Sequence, residues 1–462
     1  MPHKGRRGQW ERASALGHGP YVDRDEVEDQ LKEWGYAIEP GEDPELPDTM
    51  IVDYTDRLES VVLPKMMLAI DGSNWEIPVR NDFPATRISA VGVAAVMINL
   101  DRFLEQGNER FVDPRVISQS IDSEVLTRYL PSSNVVEQSS GTSDTVADSW
   151  RRIIFEDWSD RRILDSNDCP TMLELYWDLS NRAGKVSDEG TIEIARCPTN
   201  YCDEKKIAIP IDGCTCEGCG TPLFPTDALR IWEGISNEDK NDRPTNNYRS
   251  VVEQLVLLSV LQVLSLRNRH LLSEWCFVMD GPLAVFDSPS WLKSGISNYI
   301  DELNESLIEN GFETPLIIGI EKNGVFNQHF DYIHEQVPEG SLLCPTNEYV
   351  YRHIKMAGRL SGGVYGENNY YAHKFCYKSA TGYRFTFSIP PFIDSGDESR
   401  DSPDSYPNLA RACRLLDEIG TLMYPHATIA TVIAHNAAAI PLRAGAKVMV
   451  KLTQELLGPG NQ

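Results

Sequence analysis

The chain has 462 residues, 41% of them hydrophobic, and 43 lysines and arginines stand against 69 aspartates and glutamates for a formal net charge of -26. That length and apolar content exclude a disulfide-stapled miniprotein and a wholly disordered tail, and at about 150 residues per domain they suit two or three domains. The charge excludes a protein that coats nucleic acid by broad phosphate neutralisation, although strong acidity suits a carboxylate metal site or a chain whose basic surface comes from a partner.

The first ten residues are basic and polar with no apolar signal core behind them, so a reducing, cytoplasmic setting is expected. Asp23 to Asp48 is acidic and punctuated by Pro and Gly, which predicts one short amphipathic helix and then a loop, and residues 1–60 are expected as an N-terminal appendage. An apolar strand from Val61 to Ile70 is expected to turn at Asp71-Gly72-Ser73 and lead into the run Ile88 to Leu100, as in a β-meander. The Ser-rich stretch Pro131 to Ser149 reads as an exposed linker, and residues 61–165 as the first part of a core domain.

Residues 166–240 hold a cysteine-rich insertion, after which helix and strand alternate through the second part of the core, 241–462. Thr245 or Asn246 can cap a helix running to about His270. Its apolar run, Leu255 to Leu266, is broken by Ser259 and Gln262 and is shorter than the roughly 20 residues that span a bilayer, so no membrane anchor is expected. The strand Trp275 to Met279 ends at Asp280-Gly281-Pro282, a helix follows from about Trp291 to Asn310, and the strand Pro315 to Ile320 closes at Glu321-Lys322-Asn323-Gly324. Ala372 to Lys378 and Tyr383 to Ile389 flank Thr381-Gly382 as a hairpin, and an acidic loop, Asp394 to Ser405, precedes closing helices. The order predicts a mixed-sheet α/β core with insertions.

Five of the ten cysteines fall between Cys197 and Cys219. Cys197 and Cys202 precede a short strand, and Cys216-Glu-Gly-Cys219-Gly220 follows it, a knuckle that presents two thiolates from one tight turn. The spacing predicts a zinc-ribbon-like module with Cys197, Cys202, Cys216 and Cys219 as ligands and Cys214 as a substitute. A closed four-thiolate site has no open position for water, so its zinc would be structural.

Two apolar strands share one design, ending in Asp71-Gly72-Ser73 and Asp280-Gly281-Pro282. Carboxylates at the ends of neighbouring strands repel unless a divalent cation lies between them. With a third carboxylate they could hold two Mg or Mn ions about 3.5–4 Å apart for phosphodiester hydrolysis. Glu253, on an almost wholly apolar helix, is the candidate third, with Glu76 and Glu274 as rivals. Lys322, beside Asp280, could pair with the scissile phosphate. Lys374, Lys378 and Arg384, interleaved with Tyr370, Tyr371, Phe375, Tyr377 and Tyr383, suggest a basic-aromatic hairpin that tracks a single strand.

The ordered set Ile70 to Ser73, Phe277 to Leu283, Gly319 to Lys322, and Tyr424-Pro425 leading into Ala434-His435-Asn436-Ala437 resembles the NurA nucleases. The resemblance implies an RNase H-like (PIWI-like) core, a homodimer, and a Mn-dependent 5′-to-3′ exonuclease with single-strand endonuclease activity. It also implies a partner, the HerA-type hexameric ATPase that pumps DNA, in end processing or anti-phage defence. Carried onto this sequence, Asp71 and Asp280 match the metal aspartates, Glu253 the helical glutamate, Tyr424 the C-terminal tyrosine and His435, ahead of His426, the histidine.

The insertion, the linker and the charge of -26 depart from that family's compact members. No phosphate-binding loop is present, since Ala183-Gly184-Lys185-Val186 and Ala444-Gly445-Ala446-Lys447 lack the flanking Gly and Ser/Thr, so a ring ATPase would supply translocation. Two rival readings are a catalytically silent subunit that holds a DNA end or regulates the ATPase, and an RNA-directed nuclease.

Overall fold

The computed structural model describes residues 24–36, 44–105, 120–138, 145–355, 363–392, 401–421, 426–439 and 450–455. Tyr424, the middle of the Ser-rich stretch and most of the acidic loop after Asp394 lie outside them.

Long aliphatic runs in the first quarter of the chain build two thirteen-residue strands, β2 (Met66–Pro78) and β3 (Arg87–Asn99), which pair antiparallel along their whole length, after a short β1 (Ile51–Asp53). The expected turn at Asp71-Gly72-Ser73 is corrected: β2 runs straight through it, with Asp71 opposite Ala94 and Gly72 opposite Val93. The local Asp-Gly turn preference yields because β3 offers a register partner to each residue of β2 as far as Pro78. Antiparallel β4 (Ile121–Pro131) then pairs with β3.

The chain next leaves the sheet for helices α2 (Val146–Asp160) and α3 (Met172–Arg182), following α1 (Arg24–Lys32) near the start. Thr145 caps α2 in a capping box with Asp148. The linker expectation for Pro131 to Ser149 is corrected at both ends: Ser132, Ser133 and Ser149 are buried, and Ser132 donates to Glu76.

Two small hairpins carry the cysteines, β5 (Thr191–Arg196) with β6 (Lys205–Pro210) and β7 (Cys214–Thr215) with β8 (Pro222–Leu223). The long helix α4 (Asp242–Arg267) follows. It starts earlier than expected, with Asn241 at the cap position, while the Thr245 hydroxyl lies inside the first turn and donates to the Asn241 carbonyl at 2.6 Å. Pro244 fits there because first-turn amides need no partner.

Strand β9 (Trp275–Asp280) joins β2 in parallel, and after helix α5 (Leu292–Glu309) strand β10 (Leu316–Glu321) joins β9 in parallel. Helix α6 (Val325–Ile333), β11 (Ser341–Leu343), the hairpin β12 (His373–Lys378) and β13 (Arg384–Ile389), and helices α7 (Leu409–Ile419) and α8 (Ile429–Ala438) complete the chain. The nine-stranded sheet has the order β1-β11-β12-β13-β10-β9-β2-β3-β4. Residues 51–53, which sequence assigns to the appendage, are its edge strand, and Met50, Tyr54 and Leu58 beside them are buried.

Strand alternation divides the core. Leu68, Ile70, Val91 and Val93 face α2, α3, α4 and α5, while Met67, Ala69, Ala94 and Val96 face α7 and α8. β10 is buried along its whole length, as a strand covered on both faces requires. The first core is continuous as far as Cys197 and Cys216, so the cysteine hairpins pack on the same apolar interior as α4. Among the described residues α4 alone has the length and apolarity to cross a bilayer, but Leu255, Val256, Leu257, Leu258 and Leu261 are fully buried in this core.

Candidate active site

Register brings the two expected aspartates together. Ile70 of β2 lies opposite Met279 of β9, so the next residues, Asp71 and Asp280, emerge side by side where the parallel pairing stops. Gly281, at φ 127°, turns the chain away after Asp280, a conformation that favours glycine. Asp71 is 7% exposed; one oxygen accepts the Gly72 amide at 2.7 Å and the other meets His435 Nδ1 at 2.9 Å. His435 rides on α8, which Thr428 caps and whose end is held to β2 by the Ser73 hydroxyl donating to the Ala438 carbonyl. One ligand atom each from Asp71, Asp280 and His435 lies within 4.8 Å of the others.

Glu253 stands near this group without joining its ligand atoms, on α4 beside Gly72. Its side chain is 13% exposed, and Arg249, one turn earlier, places Nε 3.4 Å from Glu253 Oε1 and donates from Nη1 to the Gly72 carbonyl at 2.9 Å. A Cβ on Gly72 would collide with Glu253 Oε1 and lie 2.8 Å from Arg249 Cγ, so glycine is what lets α4 approach the strand here. Lys322, just past β10, donates to Asp280.

Burial first, and then the Asp280 charge, push the Asp71 carboxyl up to about 6. Burial pushes Glu253 up to about 7; the Arg249 charge pulls the other way, while Asp71 and Asp280 add to the rise. Acids held this far above their ordinary range in a shared cluster favour an added cation. Oxygen and imidazole donors suit Mn or Mg, so the donor set fits a divalent ion bound by Asp71, Asp280 and His435, with Glu253 behind them.

Other expected residues lie elsewhere. Glu76 accepts from the Ser132 hydroxyl and the Asn241 amide, both at 2.6 Å, and Glu274 pairs with Lys65 at the far end of β9, so neither rival reaches the cluster. His426 bonds Asp331 and the Arg384 carbonyl at 3.0 and 3.1 Å, away from Asp71, on a cavity of about 560 Å³ that also touches His435 and Lys322. Tyr424 lies outside the described residues.

The basic-aromatic hairpin is corrected. Lys374 is buried, lies 2.8 Å from Glu321 and sits over the rings of Phe326 and Tyr370 at 4.4 and 4.6 Å. Lys378 donates to the His334 and Val337 carbonyls, and Arg384 pairs with Asp331. β12 and β13 are interior strands of the sheet, so these groups serve its packing and do not present a strand-binding face. Arg249 is the site residue that sequence reasoning missed; its signal was an Arg placed four residues before a buried Glu on one helix.

The four expected cysteines converge as well. Cys197 and Cys219 Sγ are 3.7 Å apart, Cys202 and Cys216 Sγ are 3.6 Å apart, and all four lie within 4.8 Å, with every cysteine a free thiol. Cys214 stands outside the group, its sulfur 4.0 Å from the Ala208 carbonyl. Hydrogen bonding at Thr221 pulls the Cys219 thiol down to about 6, while burial holds the Cys197 thiol above its ordinary value, so Cys219 is the readier thiolate of the group. Four sulfurs converging without a disulfide fit a tetrahedral zinc site.

No protein-family model and no curated protein matches the chain. Among solved structures it is similar to the crystal structure of the NurA nuclease from Sulfolobus solfataricus, at 11% identity over 96% of this chain and 95% of that one, with a TM-score of 0.30.

Proposed function

We propose that this chain is a divalent-metal-dependent nuclease that hydrolyses phosphodiester bonds in DNA. The observation that carries the reading is the side-by-side placement of Asp71 and Asp280, with His435 on Asp71; Glu253, beside Gly72, feels the charge of both aspartates. Asp71, Asp280, Glu253 and His435 would hold Mn or Mg. When bound, such ions activate water and stabilise the leaving oxygen. His435, 59% exposed at its side chain, is accessible to a substrate and can take or give a proton beside the bound phosphate. Lys322 supplies positive charge next to Asp280.

The strand order supports an RNase H-like core: three antiparallel strands, then two added parallel to the first, with the Glu253 helix between the two sets. The sequence resemblance adds the finer assignments: 5′-to-3′ exonuclease and single-strand endonuclease activity, a homodimer, a role for Tyr424, and work with a HerA-type hexameric ATPase in DNA end processing or anti-phage defence. The four-cysteine cluster takes a structural zinc. The charge of -26 favours the second reading, a catalytically silent subunit of the ATPase.

Cleavage of end-labelled single- and double-stranded DNA with Mn, Mg or EDTA, with and without a HerA-type ATPase, decides between them. Metal-dependent cleavage that disappears in Asp71→Asn and Asp280→Asn, both folded, is the expected result. Cleavage retained by both variants removes this site assignment, and no cleavage in any arm favours the silent subunit.

A further inference from the structure

Each acid of the cluster has one basic partner, and the three bases come from different parts of the fold. Asp71 has His435, Asp280 has Lys322 and Glu253 has Arg249. A divalent ion that enters can share Asp71 with His435, but it must compete with Lys322 for Asp280 and with Arg249 for Glu253.

Arg249 is bound far less completely than a structural arginine of the same protein. Arg151 makes two 2.8 Å hydrogen bonds to Asp227, one at 3.1 Å to Asp148 and one at 2.6 Å to the Pro222 carbonyl. Arg249 Nε is buried without a hydrogen-bond partner, and its approach to Glu253 at 3.4 Å is an ion pair without a hydrogen bond. A guanidinium held by one hydrogen bond and one loose ion pair, its side chain 29% exposed at the edge of an acidic cluster, can turn to meet a further anion. Lys322 is similarly placed: its side chain is 23% exposed, and it lines the same 560 Å³ cavity as His435.

We propose that Arg249 and Lys322 are exchangeable counter-ions: they neutralise Glu253 and Asp280 until divalent cations take those carboxylates, and are then released to bind the scissile phosphodiester. The proposal rests on the nuclease reading and assigns Arg249 a role in it. Metal and substrate then favour one another, because each metal that binds frees a cation for the phosphate and each phosphate held by a cation frees a carboxylate for metal. The coupling is reciprocal by linkage.

The test compares the full-length wild type with Arg249→Met, Lys322→Met and Arg249→Lys. Mn affinity is read by calorimetry on chelator-treated protein, with and without a phosphorothioate single strand that resists cleavage, and nuclease rates are read separately. The two Met variants are expected to bind Mn more tightly, on the order of tenfold, because a competing charge is gone. They should also lose most of the strand's enhancement of Mn binding and cleave more slowly. Arg249→Lys should stay near wild type in Mn affinity.

Unchanged or weaker Mn binding in both Met variants overturns the exchange and makes these residues simple supports of the carboxylates. If Arg249→Met fails to fold, Lys322→Met decides alone, since its side chain stands at the rim. A wild type that neither binds Mn nor cleaves overturns the nuclease reading itself. A wild type that does both, with Met variants of wild-type Mn affinity, overturns only the exchange.

Discussion

Glu253 shows how one buried carboxyl contributes to the pH behaviour of the centre, beside Asp71. Its carboxyl is raised from 4.5 to about 7, chiefly by burial. Between those values the folded protein keeps a proton that the unfolded chain has released, so stability falls as pH rises through that window and levels off above it. The ionised group then costs about 3 kcal/mol in the absence of metal. Glu253→Gln removes that cost: thermal unfolding with chelator present should show the variant several degrees more stable at pH 8, with the gap closing toward pH 4.5. A constant gap across that range would mean that the carboxyl does not titrate there. Gly72→Ala tests the close approach of α4 to β2, where the added methyl meets Glu253 and Arg249. The variant should lose about 1–3 kcal/mol of stability and most metal affinity together, measured by thermal unfolding with and without Mn.

At the scale of elements, the parallel addition of β9 to β2 makes the site, because it aligns two strand positions that are more than two hundred residues apart. The cysteine hairpins belong to this scale too. Ile192, Ile194, Ile209 and Leu223 pack with Cys197 and Cys216 on the interior that holds Trp150, Trp158 and Tyr248. Loss of zinc should therefore loosen the helical layer behind α4 as well as the hairpins. Cys216→Ser is expected to lower the zinc content from one ion per chain toward zero and reduce thermal stability by several degrees; Cys214→Ser should change neither. Elemental analysis and thermal unfolding of the two proteins check this, and wild-type protein purified without zinc would remove the assignment.

For the whole molecule the net charge of -26 sets the terms of DNA binding. A long-range negative field opposes a polyanion, and the two cations nearest the cluster are already paired with acids. The chain alone should therefore hold single-stranded DNA weakly, at roughly 10⁻⁵ M or worse near physiological salt. A ring ATPase that delivers the strand should raise the apparent affinity and the cleavage rate together. Fluorescence anisotropy with and without the partner measures this, and tight binding by the chain alone would show that a local basic surface outweighs the net charge.

The sequence by itself determined the apolar strands that carry Asp71 and Asp280, the cysteine knuckles and the alternation of helix and strand, because these follow from local pattern: apolar runs and Cys-x-x-Cys spacing. Asp280 was legible as a strand terminus; Asp71 was legible as its candidate partner, and the two do converge, although the turn expected at Asp71 is absent. Tertiary structure alone decided the rest. Arg249 matters because of which face of α4 meets Gly72, and Lys374 is buried because β12 became an interior strand covered by Phe326 and Tyr370. Periodicity tells which residues share a face, whereas what that face meets depends on strand order and helix placement, which are set by contacts between residues far apart in the chain.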